Sequence, residues 1–495
     1  MQPAPQSKLH SALSADILDW KKILVLILAG VAPATVVLGI FPTALAVTGQ
    51  PGIAIGTLAV GVVLLVFAPG YLAMASRIRN AGAFYAFARV LSRPVAVAVA
   101  LVALVTYLFF QTAGYGGLAA VGTPLLSELI GVDVPWWIVA VVAWGLVALL
   151  GMFDITTSTK ILIVLVAAET LMVAVYSLAL VFSPGFEWNL QPLALDNLWS
   201  PGAGTLAAIG MTCFAGLEAT AAYAEEARDA RRSVSKAMFT MIIGAMLFYS
   251  FAAVVMISAA GSDVYELAGT EGPALLPGLA AAQLGGWTVN TGFALFATSV
   301  FAASVAFHSL IARYGYALGR EGVLPRAFGL TVNGAPRNAS IAQSVIGLAV
   351  IIVFAVAGWD PLTQLFFVFG TSGGFGVALL ITITALAVIV YFAKNPGDET
   401  LWRRTIAPWI ALPGLLLLTS LMTTNLPTLY GTGTWTGPAV LIPALFAGVA
   451  ALGLIWGLVL RSTKPEVYEG IGLGSGNLSV TGSGSDDRPR IGAHR

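Results

Sequence analysis

Two carboxylates lie inside long apolar stretches of this sequence, where an ionisable side chain is costly. Glu169 stands in the run LIVLVAAETLMVAV, and Glu218 follows the segment Phe214-Ala215-Gly216-Leu217. A carboxylate near the centre of a bilayer costs at least ~2.5 kcal/mol unless it is paired or hydrated. Glu218 is therefore a candidate for binding a substrate ammonium or for carrying a proton, and Glu169 is a second candidate for proton coupling. A structural hydrogen bond, to freed backbone amides or to another helix, is the alternative for both.

Two of the apolar stretches also contain a helix break. Pro33 has no N–H and disrupts the helical turn before it, and Gly30 weakens the same turn. Gly216 interrupts a second stretch close to Glu218. Backbone groups freed at membrane depth must line a cavity or find partners, so we expect the substrate site between the two breaks. A simple kink at Pro33 and a packing contact at Gly216 are the alternatives.

The predicted site combines backbone at the breaks with one aromatic and one polar side chain. Phe214 could close over a substrate or simply pack. Gln111 shares one helical face with Tyr107 and Tyr115, so it could form a polar wall of the cavity. The predicted substrate-binding residues are Ala29, Gly30, Ala32, Ala34, Thr35, Gln111, Phe214, Ala215, Gly216 and Glu218, and the predicted coupling residues are Glu169 and Glu218.

The composition requires a membrane environment. Of the 495 residues, 58% are hydrophobic and 9% are charged, whereas a soluble domain carries about 25% charged residues. The single cysteine, Cys213, excludes a disulfide framework and a multi-cysteine metal site. A formal net charge of +1 gives no reason to expect a nucleic-acid partner. The expected partners are a small-molecule substrate, a coupling ion and the lipid bilayer.

We predict neither a metal, nor a cofactor, nor enzymatic activity. An enzyme would need a nucleophile with a base, or a metal cluster, and two of the three histidines, His10 and His494, lie in the tails. His308 lies near one end of an apolar stretch, where it could carry a proton or pack at an interface.

Charge-free runs divide the chain into twelve predicted spanning helices, because a span needs about 20 apolar residues. They cover 23–47, 53–76, 94–122, 134–152, 157–182, a sixth from 204, then 237–260, 287–312, 339–357, 362–392 and two within 405–460. Lys and Arg fall on one side of this arrangement and the opposite loops carry only acids. We therefore expect a multi-pass protein of the plasma membrane with both termini in the cytoplasm.

The regions outside the spans are polar. Residues 1–22 form a predicted cytoplasmic segment, and residues 461–495, rich in Gly, Ser and charge, a disordered tail. Within the spans, the two breaks are five helices apart. Because five is odd, a second unit that repeats the first would be inverted in the membrane, and paired breaks in inverted halves indicate a site at the midplane.

Three segments carry a family resemblance. FAGLEATAAYAEEARDARRSVSKA at the second break, RIRNAGAFYAFARVLSRP and ARYGYALGREGVLPRAFG resemble signatures of the amino acid–polyamine–organocation (APC) permeases, in the right order and spacing. The resemblance implies an all-α, LeuT-type fold of two inverted five-helix repeats, about 23–183 and 204–393, with two extra helices in 405–460. It also implies uptake or exchange of amino acids or amines without a cofactor.

The sequence departs from that family pattern at two places. Many relatives have a Gly- and Ser-rich first break whose amides receive a substrate carboxylate, whereas residues 30–35 here are bulkier and Pro33 removes one amide. Glu169 falls where several proton-coupled relatives carry a lysine, while Thr298, Ser299 and Ser304 keep a sodium site open.

We predict a secondary active transporter for an amino acid or related amine, working by alternating access and proton symport. Sodium-coupled symport, substrate exchange and an ion channel are the alternatives.

Overall fold

The computed structural model describes residues 18–474, apart from residues 79, 81, 153–154, 218–219, 221–226, 228 and 333–334, and it leaves out the side chains of 155–162 and 230–231. Within these ranges the chain is helical, and its β contacts are two isolated bridges. Ten helical segments are long and apolar enough to cross a membrane, and two shorter apolar helices span Trp136–Leu150 and Ala203–Thr212. These twelve elements lie at the twelve predicted positions, which confirms the all-α membrane class.

The α-helices are numbered in chain order. They are α1 (Trp20–Val31), α2 (Phe41–Thr48), α3 (Ile53–Ala75), α4 (Ala83–Ala88), α5 (Arg93–Ile130), α6 (Trp136–Leu150), α7 (Ile155–Val181), α8 (Ala203–Thr212), α9 (Ala230–Ala260), α10 (Val264–Glu271), α11 (Leu275–Leu284), α12 (Trp287–Arg320), α13 (Arg337–Ala357), α14 (Phe369–Lys394), α15 (Ala407–Thr424), α16 (Leu426–Leu429), α17 (Pro438–Thr463) and α18 (Pro465–Gly470). Short π-helices cover Thr35–Ile40, Pro361–Val368 and Trp402–Ile406.

The helix α5, with 38 residues, is the scaffold against which the others pack. It begins at Ser92, whose Oγ accepts a hydrogen bond from the Val95 N–H at 3.3 Å, and it ends at Gly131 in the left-handed conformation. It packs against α12, α14 and α17. The helix continues beyond the predicted span 94–122 as far as Ile130, because it accommodates Pro124 in its interior.

The structure corrects the prediction of a disordered tail from residue 461 as far as residue 474. The helix α17 continues to Thr463, α18 follows directly, and Ile471 is fully buried. Gly- and Ser-rich composition indicated disorder, but the apolar side chains of Val467 and Ile471 supply enough burial to fold this part of the segment. Residues 475–495 lie outside the described part of the chain.

Glu321, directly after α12, holds this C-terminal segment in place. Its carboxylate accepts hydrogen bonds from the amides of Gly472 and Gly474 at 2.6 and 2.8 Å. It also accepts one from the Tyr85 hydroxyl at 2.6 Å and one from the Asn80 amide group at 3.0 Å. Burial, together with the charge of Glu321, raises the pKa of Tyr85 well above its usual value, so the hydroxyl remains a donor.

We call the side of the protein where α3, α12, α14 and α17 end and α5 begins the basic face. The basic residues at these helix ends are Arg77, Arg93, Arg320, Lys394 and Arg461, and Arg89 follows the short helix α4 on the same side.

Candidate functional site

The first spanning segment contains the predicted break. The helix α1 ends at Val31, and Ala32 adopts the left-handed conformation with φ of 51°, which is uncommon for a residue other than glycine. Helical structure resumes at Pro33 and continues as the π-helix from Thr35. The chain therefore crosses the middle of this span without a continuous set of helical hydrogen bonds.

The backbone amides around this break are nevertheless occupied. The amides of Ala32 and Val36 bond to backbone carbonyls, and those of Ala34 and Thr35 bond to side chains from α7 and α12. The donors and acceptors are Ala32 N to Leu28 O at 2.7 Å, Ala34 N to Glu169 Oε2 at 3.2 Å, Thr35 N to Ser299 Oγ at 3.1 Å and Val36 N to Ala32 O at 3.1 Å. Since Pro33 has no N–H, each amide from residue 32 to residue 36 already has an acceptor.

The second break lies directly against the first. The helix α8 ends at Thr212, a turn covers residues 213–217, and Gly216 has a φ of 95° that an L side chain rarely adopts. A Cβ atom at Gly216 would lie 3.4 Å from the Cα atom of Gly30, so the two backbones touch. Glu218, predicted to bind substrate and to couple transport, lies outside the described residues.

A small cavity of about 50 Å³ lies beside this contact. A space of this size holds only a few waters, at roughly 10–15 Å³ each. Four predicted substrate residues, Gly30, Ala32, Thr35 and Ala215, line it. The remaining lining residues are Val31, Val36, Ile40, Phe110, Ala113, Gly114, Thr212, Val300, Ala303, Phe307, Phe366 and Gly370.

The other predicted substrate residues divide into two groups. Ala29, Ala34 and Phe214 are buried close to the breaks without lining the cavity, and Gly216 contacts Gly30 behind it. Gln111 is placed elsewhere, in a hydrogen-bonded cluster with His308.

Two helix C-termini lie at the edge of the cavity. The helices α1 and α8 both end there, and a helix C-terminus carries roughly half a negative charge. The N-terminus of the helical segment that resumes at Pro33 lies at the same break, where the amides of Ala34 and Thr35 are bonded to Glu169 and Ser299. Three phenylalanines, Phe110, Phe307 and Phe366, contribute aromatic surface to the wall. Aromatic faces attract ammonium groups and also pack against alkyl chains. The arrangement therefore suits a ligand with a positive charge and an apolar body.

Glu169 lies behind the first break on α7. Its side chain is 1% exposed, Oε2 accepts the Ala34 amide, and Oε1 has no hydrogen-bond partner among the described residues. Ser299 lies beside the same carboxyl group and also accepts a hydrogen bond from the Thr35 hydroxyl at 2.9 Å. An acceptor oxygen without a partner in an apolar interior can take a proton or a cation at low cost.

Gln111 and His308 form a buried cluster that ties four helices, α5, α6, α12 and α13, together. Gln111 Nε2 donates to the Tyr115 hydroxyl at 2.8 Å and lies 3.1 Å from His308 Nδ1. His308 Nε2 lies 2.6 Å from the Ser340 hydroxyl, which donates to the Gly151 carbonyl at 3.4 Å. A neutral imidazole protonated at Nε2 satisfies this chain of contacts. The shared face of Gln111 and Tyr115 was foreseeable from their spacing, whereas the partner His308 was not.

We expect the change His308→Ala to destabilise the protein more than it impairs the predicted transport. It leaves the Gln111 amide and Ser340 hydroxyl without their partner, at about 1–3 kcal/mol for each buried polar group. Thermal unfolding in detergent should show a lower Tm, while uptake per folded molecule should stay within about twofold of the wild type, because His308 does not line the cavity. A variant with unchanged Tm and abolished uptake would contradict this structural role.

Comparison with known proteins gives the family. The sequence profile described as amino acid permease matches residues 18–450. The chain belongs to the amino acid permease family. The permease is also similar to the low-affinity putrescine importer PlaP of Escherichia coli K12, with 25% identity over 355 residues, which cover 69% of this chain and 74% of the importer. The corresponding importer of Escherichia coli O157:H7 matches to the same extent. The resemblance to APC permeases is thereby confirmed.

The site also contains residues that the sequence did not single out. Tyr249 of α9 donates its hydroxyl to the carbonyl of Val31 at 3.4 Å, at the C-terminal end of α1. Phe110 and Phe307 stack with ring centroids 4.7 Å apart and form part of the cavity wall. No local pattern marks these aromatic residues, because the sequence has 25 Phe and 13 Tyr residues and they recur throughout its apolar stretches. Ser299 was noted for a possible sodium site but not as the partner of the broken helix.

Proposed function

We propose that the permease transports an organic amine, with a primary ammonium group and an apolar chain, in preference to an α-amino acid. The observation that carries this proposal is the occupation of every amide from residue 32 to residue 36. A substrate carboxylate needs free donors at the break. Here it would have to displace Glu169 or Ser299 from the amide that each accepts.

The partial charges around the cavity also support an amine over an α-amino acid. The C-terminal ends of α1 and α8 and the aromatic wall favour an ammonium group over a carboxylate. The relative described as a putrescine importer takes a diamine that lacks a carboxylate, which agrees with this choice. We take the substrate to lie between the two breaks, in contact with Gly30, Ala32, Thr35 and Ala215.

Transport then works by alternating access with proton symport. The cavity of about 50 Å³ is too small for a diamine, so the walls must separate to admit one. Glu169 is the proposed coupling group, because one carboxylate oxygen is unpartnered and the other holds the amide of the broken helix. The basic face is proposed to be the cytoplasmic side of the plasma membrane. Glu218, which lies outside the described residues, stays the second predicted coupling residue.

A matched pair of substrates tests the amine assignment. Putrescine and ornithine differ by one carboxylate, so their uptake into proteoliposomes isolates the contribution of that group. We expect putrescine to be preferred by at least about 100-fold, since an uncompensated buried charge costs about 3–5 kcal/mol. Cadaverine and lysine form a second pair with the same difference. Equal or better uptake of the two amino acids would show that the break accepts carboxylates, and the proposal would fail.

A further inference from the structure

A large cavity opens on the basic face, and it shares no lining residue with the cavity at the breaks. It has a volume of about 780 Å³ and lies between the end of α3, the helix α4, the start of α5, the end of α14 and the C-terminal segment. Three arginines, Arg77, Arg89 and Arg93, line it, together with Ser92 and Tyr468 among others. Among the described residues, its lining contains neither Asp nor Glu.

The positive charge of this cavity is only partly compensated. Burial and the like charge of Arg93 lower the pKa of Arg89, and Glu321 opposes this effect. The Glu321 carboxylate, however, already accepts hydrogen bonds from Tyr85, Asn80 and two backbone amides. Arg93 Nε is buried without a hydrogen-bond partner in the described part of the chain. The guanidinium group of Arg93 lies 5.0 Å from the centre of the Tyr468 ring, which fixes its position.

The geometry suits a phosphate group. Guanidinium groups present several donors in a planar fork that matches phosphate oxygens, and their hydrogen bonds to anions are stronger than neutral ones. The N-terminus of α5, a helix of 38 residues, adds its partial positive charge at Ser92 and Arg93.

The position of the cavity indicates where the phosphate comes from. Arg93 is the first residue of a spanning helix, and Arg77 follows the end of another by two residues. Tyr391 lies in the last turn of α14 and lines the same cavity. Basic and aromatic residues at helix ends lie at the depth of lipid headgroups, where pockets between spanning helices bind anionic lipids.

We propose that this cavity binds a phosphate-bearing anion, supplied by the headgroup of an anionic phospholipid in the adjoining leaflet. The C-terminal segment completes the site, because Tyr468 and Gly472 form one wall. The site is independent of the substrate site at the breaks and of the identity of the transported molecule.

The test uses the purified full chain in a maltoside detergent, which carries no phosphate. Phosphatidylglycerol, phosphatidylcholine, glycerol phosphate and inorganic phosphate are added separately, and thermal stability and lipid retention in native mass spectrometry are measured. We expect phosphatidylglycerol to raise the Tm and to be retained, with little effect of the net-neutral phosphatidylcholine. A response to glycerol phosphate or inorganic phosphate equal to that of the lipid would assign the same site to a soluble anion. No response to any anion would overturn the proposal.

Two double variants with equal charge change separate this site from general attraction to the basic face. The variant Arg77→Gln/Arg89→Gln removes two cavity arginines and keeps Arg93 on Tyr468. The variant Arg326→Gln/Arg337→Gln removes two exposed arginines that do not line the cavity. We expect retention of phosphatidylglycerol to fall at least about tenfold in the first variant and to persist in the second. Hydrogen bonds to charged groups contribute more to binding than neutral ones, and the first variant removes two guanidinium donors from the cavity. Equal losses in both variants would refute a specific site.

Discussion

Replacing Glu169 by glutamine is expected to abolish the response of uptake to a pH gradient while the protein still folds. Glutamine has almost the same shape, and its side-chain oxygen can still accept the Ala34 amide. It cannot take up a proton or compensate a cation. Because truncating a buried charged partner costs about 2–5 kcal/mol, uptake driven by an inward proton gradient should fall by at least about 30-fold. Proteoliposomes with an imposed pH gradient provide the measurement.

A serine on the same side of the break is the control for this experiment. Ser299→Ala removes the acceptor of the Thr35 amide without removing a charge. It should weaken transport but leave its dependence on the proton gradient intact. Proton-driven accumulation by the Glu169→Gln variant would contradict the coupling role and direct attention to Glu218. Uptake driven by a sodium gradient alone would exclude proton symport.

A larger side chain at Gly30, where the two breaks touch, is expected to cause the second large loss of uptake. A leucine in place of Gly30 must enter the cavity of about 50 Å³ and press against Gly216. Overpacking a filled interior costs about 1–3 kcal/mol, and here the added side chain also occupies the space proposed for substrate. We expect uptake by Gly30→Leu to fall roughly 10- to 100-fold, with a smaller loss for Gly30→Ala, whose Cβ would lie 3.6 Å from the Cα of Gly216.

The matched change is made at a glycine with open space around it. A Cβ at Gly244 of α9 would meet nothing within 4 Å, and this residue is exposed. Gly244→Leu should therefore retain both Tm and uptake near the wild-type values. If Gly30→Leu transported as well as Gly244→Leu, the substrate could not pass between the breaks, and the position of the proposed site would be wrong.

The sequence was sufficient to locate the spanning helices and their breaks, but not the distant residues to which the breaks are hydrogen-bonded. Charge-free runs of about 20 residues located the spans because a bilayer allows few other solutions. Pro33 and Gly216 marked the breaks because their backbone restrictions are local. The pairing of Ala34 with Glu169 joins residues 135 positions apart, and no local pattern encodes it.

For Gln111, helical spacing predicted the neighbour Tyr115 correctly but did not predict the contact with His308. Its shared face with Tyr115 followed from helical spacing, and the two side chains are hydrogen-bonded. Which way that face pointed depended on the packing of α5 against α12 and α13, which placed His308 and Ser340 there. A polar side chain in a span was therefore used to join helices and not to line the cavity.

The bonds between Glu321 and the C-terminal segment impose an order of events during synthesis. Glu321 leaves the ribosome 151 residues before Gly472, the residue whose amide it finally accepts. Until the last two spans have been inserted, this carboxylate lacks two of its donors. The face that carries it can therefore close only after the segment with Gly472 and Gly474 has been translated. A fusion partner attached after residue 474 should consequently be tolerated better than a chain that stops at Thr463, after the last span.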